Sequence, residues 1–578
     1  MKKILISATV ASIALLSSAQ SVDEMNKTIY MPVEFEPSLL SISRQNIYPS
    51  LLSPDIDVSA LSIADFSSPV APASYVTTLS APTVADRTGL SPYRGYAALG
   101  YMPVFNLGAS AGYRFIDNNR TTLGAWLQYD GNSFKSNTPL MPDMRLTRNT
   151  LDLDLRFAHA FRSAGRLSVD AGFNLDAFNR PWQHQDSSIT ALQYRIGADW
   201  AARRSGFAYF VGARFDAFSY NHADYALPVF GFTPDPYVAP TEMRYRAHAG
   251  AAYYFSRQSS INVHVDADFL NYNRFQTLAD LTTSYLAAQA PAETASKTLG
   301  VVSVDPSFRF RNKLFNAKIG LRVQFTSNSG KSFHVAPDVT FAVTPDPIFS
   351  AYVKLGGGEH INNYASLTGY TPYGSTSVAY NNSHLPFTGE LGLTVGPYRG
   401  LSITAAFGYA KANDWLMPVV VDAPYTGYDY FFAPVNLSAW HARVGVDYRL
   451  SSRFSARAEA RFAPGSEQHA FYLERDRAKT VIEVGATGSP IDRLEIEASF
   501  AMRMGRSALG RSLGNGFMGQ ALLDLDNLNS LNVGASYRLT DAFTVFARFE
   551  NILNNRAGNL PYLQGQGFKG LFGVALKF

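Results

Sequence analysis

The chain has 578 residues, with 50 basic against 46 acidic side chains, and its formal charge of +4 leaves no footprint for nucleic acid. Charged residues are only 17% and aromatics reach 13%, too apolar for a disordered chain and too poor in charge for an ordinary soluble one. Cysteine is absent, which excludes a disulfide scaffold, a thiolate metal site and a cysteine nucleophile.

Residues 1–19 read as a signal peptide. Lys2 and Lys3 give a basic start, Ile4 to Leu16 an apolar stretch too short to span a bilayer, and Ser17-Ser18-Ala19 a small-residue exit with cleavage after Ala19. Residues 20–92 form an extended N-terminal arm. Proline recurs in it at 32, 37, 49, 54, 69, 72, 82 and 92, which removes backbone donors and disfavours regular strands or helices.

From Tyr93 to Phe578 the pattern alternates with period 2. Ile261, Val263, Val265, Ala267 and Phe269 share one face, and Asn262, His264, Asp266 and Asp268 share the other. Leu167 to Leu175, Trp440 to Leu450, Phe454 to Phe462 and Leu494 to Phe500 repeat the design. Alternation over about ten residues per segment marks a transmembrane β-barrel, apolar outside and polar within. No later run of about 18 apolar residues supplies a membrane helix.

Connections follow the same logic. Tight polar turns fall at Asp117–Arg120, Ser163–Arg166, Arg203–Gly206, Ser256–Ser260, Arg311–Lys313, Thr344–Pro347, Pro397–Gly400, Ser451–Arg453, Ser489–Arg493 and Thr540–Ala542. Longer irregular stretches alternate with them at about 132–147, 178–188, 221–240, 274–297, 357–385, 413–435, 465–476, 506–526 and 553–565. Met102–Val104 and Ser327–Lys331 then serve as short outer loops. The expected fold class is all-β: an antiparallel transmembrane barrel of about 22 strands, with ambiguous strand ends allowing 16–22. Its closing strand places Phe568, Phe572, Leu576 and the terminal Phe578 on one face.

Phe549-Glu550-Asn551-Ile552-Leu553-Asn554-Asn555-Arg556, followed by Leu560-Pro561-Tyr562, Gln564-Gly565 and the final Leu576-Lys577-Phe578, resembles the last hairpin of the TonB-dependent receptor superfamily. That resemblance covers about residues 93–578 and implies 22 strands in an outer membrane. The chain departs from full receptors in having only the Pro-rich segment 20–92 where they carry a plug domain. It therefore resembles the plugless, receptor-like barrels, whose short arm is similar to Asn26–Phe35 here. The resemblance implies solute transport or handling across the outer membrane. The alternative is a non-transporting subunit or scaffold of a surface complex. Expected partners are the outer-membrane bilayer, the barrel assembly machinery during insertion, and a periplasmic or surface protein reached through the arm.

Motifs for chemistry are weak. Ser329-Gly330-Lys331-Ser332 ends like a phosphate loop, but Phe325 stands where the first glycine belongs. Glu359-His360, after Gly356-Gly357-Gly358, lacks the second histidine of a zinc-protease helix and reads as a flexible outer-loop tip. Asp524 and Asp526 read as strand alternation at a barrel mouth. The main polar cluster is Arg244, Arg246 and His248 on one strand, facing His264, Asp266 and Asp268 on the next. Charges on a wet lumen face suffice to explain it. No enzyme activity, catalytic residue, cofactor or metal is expected.

Overall fold

The computed structural model describes residues 93–578 apart from 104–105, 119, 138–143, 163–164, 180–187, 205, 222–240, 274–297, 329–330, 375–380, 424–426, 464–477, 513–519 and 559. The signal peptide, the arm 20–92 and the outer stretches 222–240 and 274–297 lie outside the described residues.

The strands follow in chain order as β1 (Gly95–Met102), β2 (Asn106–Asp117), β3 (Thr121–Ser136), β4 (Met144–Phe161), β5 (Gly165–Asn179), β6 (Ser188–Arg204), β7 (Phe207–Tyr220) and β8 (Thr241–Tyr254). Next come β9 (Ser259–Asn273), β10 (Thr298–Arg311), β11 (Phe315–Ser327), β12 (Phe333–Asp346), β13 (Phe349–His360), helix α1 (Tyr364–Tyr370), β14 (Ser383–Tyr398), β15 (Leu401–Ala423) and β16 (Gly427–Ser451). The last are β17 (Phe454–Phe462), β18 (Thr480–Ile491), β19 (Leu494–Met504), β20 (Arg506–Ser512), β21 (Gln520–Leu525), β22 (Leu528–Arg538), β23 (Phe543–Glu550) and β24 (Lys569–Lys577).

Each barrel strand pairs antiparallel with its sequence neighbour, β19 pairs directly with β22, and β24 returns to β1, closing a 22-strand barrel. Closure uses the last residue. The Phe578 carbonyl accepts from the backbone N–H of Arg94 at 2.9 Å and of Gly95 at 2.7 Å, and the Phe578 N–H donates to the Gly95 carbonyl at 2.9 Å. The ring thereby closes without leaving an unpaired strand edge, which lipid demands.

The faces follow the alternation. Ile261, Val263, Val265 and Phe269 are among the exposed large apolar residues, as are Ile196, Ile319 and Leu391. Aromatic pairs gather at both rims. Tyr113–Phe578, Phe161–Trp200 and Phe255–Phe308 lie at the short-turn end, and Phe325–Phe333 and Tyr409–Trp440 toward the long-loop end. An apolar band between two aromatic girdles is the exterior of an outer-membrane barrel, with the short turns periplasmic.

Three sequence expectations are corrected. Residues 413–435 are not irregular: β15 and β16 continue as one ladder from Trp415↔Val435 to Ala423↔Gly427, so the hairpin rises well beyond its neighbours. Within 506–526, β20 and β21 form a hairpin outside the ring, and β20 runs parallel to the upper part of β15. Gly356–His360 is no loop tip. It is the outer end of β13, where the Glu359 side chain is only 4% exposed.

Candidate functional site: the lumen wall and its outer mouth

Polar residues on the lumen face pair around the wall. In four rows an acid reaches a base across a glycine of the single intervening strand. Asp154, Gly172 and Arg195 stand side by side on β4, β5 and β6. Asp170, Gly197 and Arg214 do so on β5 to β7, and Asp199, Gly212 and His248 on β6 to β8. Glu390, Gly408 and His441 repeat the row on β14 to β16. In each row the acid meets the base over the glycine: Arg195 with Asp154, Arg214 with Asp170 at 3.1 Å, His248 with Asp199 at 2.7 Å and His441 with Glu390 at 3.3 Å. The glycine is a steric requirement. A Cβ at Gly212 would collide with both the Asp199 Oδ1 and the His248 Nε2.

The sequence cluster is redistributed by this register. Arg244 meets Asp268 in a two-pronged contact, with the shortest N–O distance 2.5 Å. Arg246 turns back to Asp216 on β7 at 2.7 Å, and His248 to Asp199. His264 contacts Asp266 on its own strand at 2.9 Å, and both lie near Asp305 of β10, whose partner is Arg322 at 3.0 Å. Alternation placed all six on the lumen face, but it could not assign partners. Those depend on the stagger of neighbouring strands.

Asp524 falls in β21 and Asp526 follows it. In the closing strand Phe568, Phe572, Leu576 and Phe578 are all exposed on the lipid side.

The outer end of the lumen is obstructed by two segments that fold inward. The first runs from Ile361 through α1 to Gly374. Tyr364 packs among Phe218, Tyr220 and Tyr272, from β7 and β9, and joins a buried cluster with Phe178, Ile189, Leu270 and Leu299. The Glu242 carboxylate, 3% exposed at the outer end of β8, accepts the Tyr364 N–H at 2.6 Å and the Asn363 amide at 3.1 Å. Tyr272 donates to the Asn362 carbonyl at 2.8 Å. A segment leaving β13 is thus clamped to strands four or more positions away.

The second segment is the Asn-rich run after β23. Asn551 and Asn554 adopt left-handed backbone, at φ 49° and 52°. The Asn551 side chain closes the turn by donating to the Asn555 and Gln566 carbonyls at 2.7 and 3.0 Å. Asparagine tolerates that conformation better than other non-glycine residues. Leu560 and Leu563 then bury against Met144, Leu146 and Val420. Between the two segments lies a cavity of about 190 Å³, whose lining includes Asn132, Arg148, Tyr370, Tyr373, Asn551 and Gln566. Sequence reading missed both inward folds. The only signal was the concentration of tyrosine and asparagine in 361–374 and 551–567.

A polar, paired wall under such a constriction can pass or hold a hydrated solute. Among the described residues, it presents no ring of one charge sign that would select ions.

No protein-family model matches this chain, and no curated protein matches it in sequence. Its fold is similar to solved outer-membrane receptors. The ferric enterobactin receptor PfeA of Pseudomonas aeruginosa, in a mutant form, aligns with a TM-score of 0.62 at 10% identity over 84% of this chain and 80% of that one. The siderophore receptor PirA of Acinetobacter baumannii gives 0.61 at 8% identity over 84% and 80%. The FrpB iron transporter of Neisseria meningitidis gives 0.60 at 11% identity over 84% and 81%. The chain shares their 22-strand outer-membrane barrel architecture.

Proposed function

We propose that this chain is a TonB-receptor-like outer-membrane barrel without a full plug domain, and that it carries or handles a solute across the outer membrane. The observation that supports the reading is a 22-strand lumen whose polar wall leads to a constriction built from the chain's own inward-folded segments. A barrel of this size encloses a lumen that must be filled if it is not to leak. In this reading segments 361–374 and 551–567 obstruct the outer mouth, and the arm 20–92 stands in for a plug at the periplasmic mouth. Ferric siderophores are the first solute class to test, because the similar structures are named as a ferric enterobactin receptor, a siderophore receptor and an iron transporter.

Planar-bilayer recording tests the proposal. The intact chain should give small conductance steps. Removing 361–382, or separately residues 20–85, should enlarge them. Silence in all three proteins, together with copurification of a stoichiometric surface protein, would favour the scaffold alternative.

A further inference from the structure

The outer end of β13 parts from β12 while staying paired with β14 as far as His360↔Ser383. Its ladder with β12 runs only from Asp346↔Phe349 to Val339↔Leu355, yet the strand continues to His360. Beyond Leu355 it is gripped by side chains of β11, two strands away. The Arg322 guanidinium donates to the Gly357 carbonyl at 3.4 Å, and the Gln324 Oε1 accepts the Glu359 N–H at 2.8 Å. Phe333 and Val335 face outward, half-exposed, so the intervening His334 of β12 faces the lumen, as Gln324 and Arg322 do. The end of β13 therefore leans across the inner face of β12.

The glycines make the lean feasible. A Cβ at Gly357 would stand 2.7 Å from the Leu385 carbonyl and 3.0 Å from the Ala336 Cβ. Gly358 has φ +144°, and a Cβ there would lie 2.8 Å from the Gln324 Oε1. Such backbone and such proximity leave room for no side chain.

The lean delivers Glu359 between two imidazoles. Its Oε1 lies 3.1 Å from the His334 Nε2 and 2.7 Å from the His384 Nδ1, on the outer ends of β12 and β14. The side chains of His334 and Glu359 are only 9% and 4% exposed. The two rings pack with centroids 4.0 Å apart. Among the described residues, no lysine or arginine lies in ion-pair reach of Glu359. The other such trio, His264, Asp266 and Asp305, differs here, because Arg322 already occupies Asp305. The His384 Nδ1 is buried and makes no well-formed hydrogen bond. All three donor atoms fall within 4.8 Å of one another. Ligands about 2.1 Å from a tetrahedral zinc-class ion stand roughly 3.4 Å apart, so small side-chain rotations would admit a cation.

We propose that His334, Glu359 and His384 form a binding site for a divalent transition cation at the extracellular mouth. Two imidazoles and one carboxylate suit Zn²⁺, Co²⁺ or Ni²⁺ better than Mg²⁺ or Ca²⁺, which take oxygen ligands. The His334 Nε2 also lies 2.7 Å from the Lys331 carbonyl. Coordination through this nitrogen replaces its contact with that oxygen, and the neutral ring then carries its proton on Nδ1. The bound ion ties β12, β13 and β14 together at a point where the β12–β13 ladder has already ended. This assignment stands whether or not the barrel passes a solute.

The test is titration of Co²⁺ into the full-length barrel refolded in detergent. One Co²⁺ per chain, with the visible absorbance of a nitrogen- and oxygen-ligated ion and displacement by Zn²⁺, is the expected result. His334→Ala and His384→Ala should each weaken binding at least tenfold. His159→Ala, at the periplasmic end of β4, should leave it unchanged. Barrel folding of each variant is read from heat-dependent gel migration. Should a variant fail to fold, the wild-type protein decides alone: Zn²⁺ should protect His334 and His384, but not His159, from diethyl pyrocarbonate. Absence of Co²⁺ binding, binding undiminished in the folded His334→Ala/His384→Ala double variant, or equal modification with and without Zn²⁺ would overturn the site.

Discussion

The wall of β10 to β12 and the wall of β16 to β18 obey the same alternation, yet they treat their charges differently. In the first, the Lys318 ammonium meets Asp338, and Arg322 meets Asp305, with Asp305 and Asp338 each 5% exposed. In the second, Arg457 reaches Asp447 at 3.8 Å with side chains 58% and 53% exposed, and Glu459 at 3.1 Å. The same strand geometry therefore yields desolvated pairs at Lys318 and Arg322 and a solvated, loosely held cation at Arg457. Burial sets the worth of an ion pair, because removing one member strands the other only where water cannot replace it.

The largest expected effect follows from that contrast. Lys318→Ala leaves Asp338 buried beside an empty space and should lower stability by about 3–5 kcal/mol, read from urea-induced unfolding in detergent micelles. A loss below about 1 kcal/mol, the range of an exposed pair, would mean that water reaches this wall as freely as the other.

A control on the opposite face comes next. Leu391, 55% exposed on β14, pairs with Val353 and Phe407 in a lipid-facing row. Leu391→Arg should cost about 2–4 kcal/mol if it sits near the midplane and should reduce the folded fraction in lipid vesicles. Full tolerance would show that this face does not meet hydrocarbon.

The rows that span a glycine give a finer probe. Gly212→Val drives a side chain between Asp199 and His248 and should cost on the order of 1 kcal/mol. A cycle against the Asp199→Ala/His248→Ala background should find most of that cost gone once both side chains of the pair are removed. Purely additive losses would mean that the glycine serves the backbone and not the pair.

The smallest effect belongs to the solvated wall. Arg457→Ala should change stability by about 0–1 kcal/mol, and less at high salt, since exposed pairs are screened. A loss comparable to that of Lys318→Ala would erase the distinction between the two walls.

Much of this architecture was legible in the residues. Along β9, Ile261, Val263, Val265 and Phe269 declared the outer face, and His264, Asp266 and Asp268 the inner one, because a strand can bury only one parity. Short turns such as Ser451–Arg453 gave strand direction, and the final Phe578 gave closure. Partners were not legible. Whether Arg246 bonds Asp268 or Asp216 depends on stagger between strands, which no single strand encodes. Nor did the pattern of 357–385 reveal that β13 would bend inward or that Tyr364 would settle among β7 and β9. Their burial comes from residues far along the chain, 90 positions apart in the bond from Tyr272 to Asn362. Glycine at 356–358 reads equally well as a loose loop or as backbone needing close approach.

The four acid–glycine–base rows share one further property. In each, the acid stands on the lower-numbered strand and the base two strands onward: Asp154 then Arg195, Asp170 then Arg214, Asp199 then His248, Glu390 then His441. When their bases are charged, their dipoles point in the same rotational sense around the barrel axis. The potential of such an array fades faster with distance than that of unpaired charges, so a small ion on the axis is neither gathered nor repelled by the rows. Close to the wall the field runs tangentially. A molecule carrying separated positive and negative ends would be turned by it, and one carrying a single charge would not be drawn along the bore.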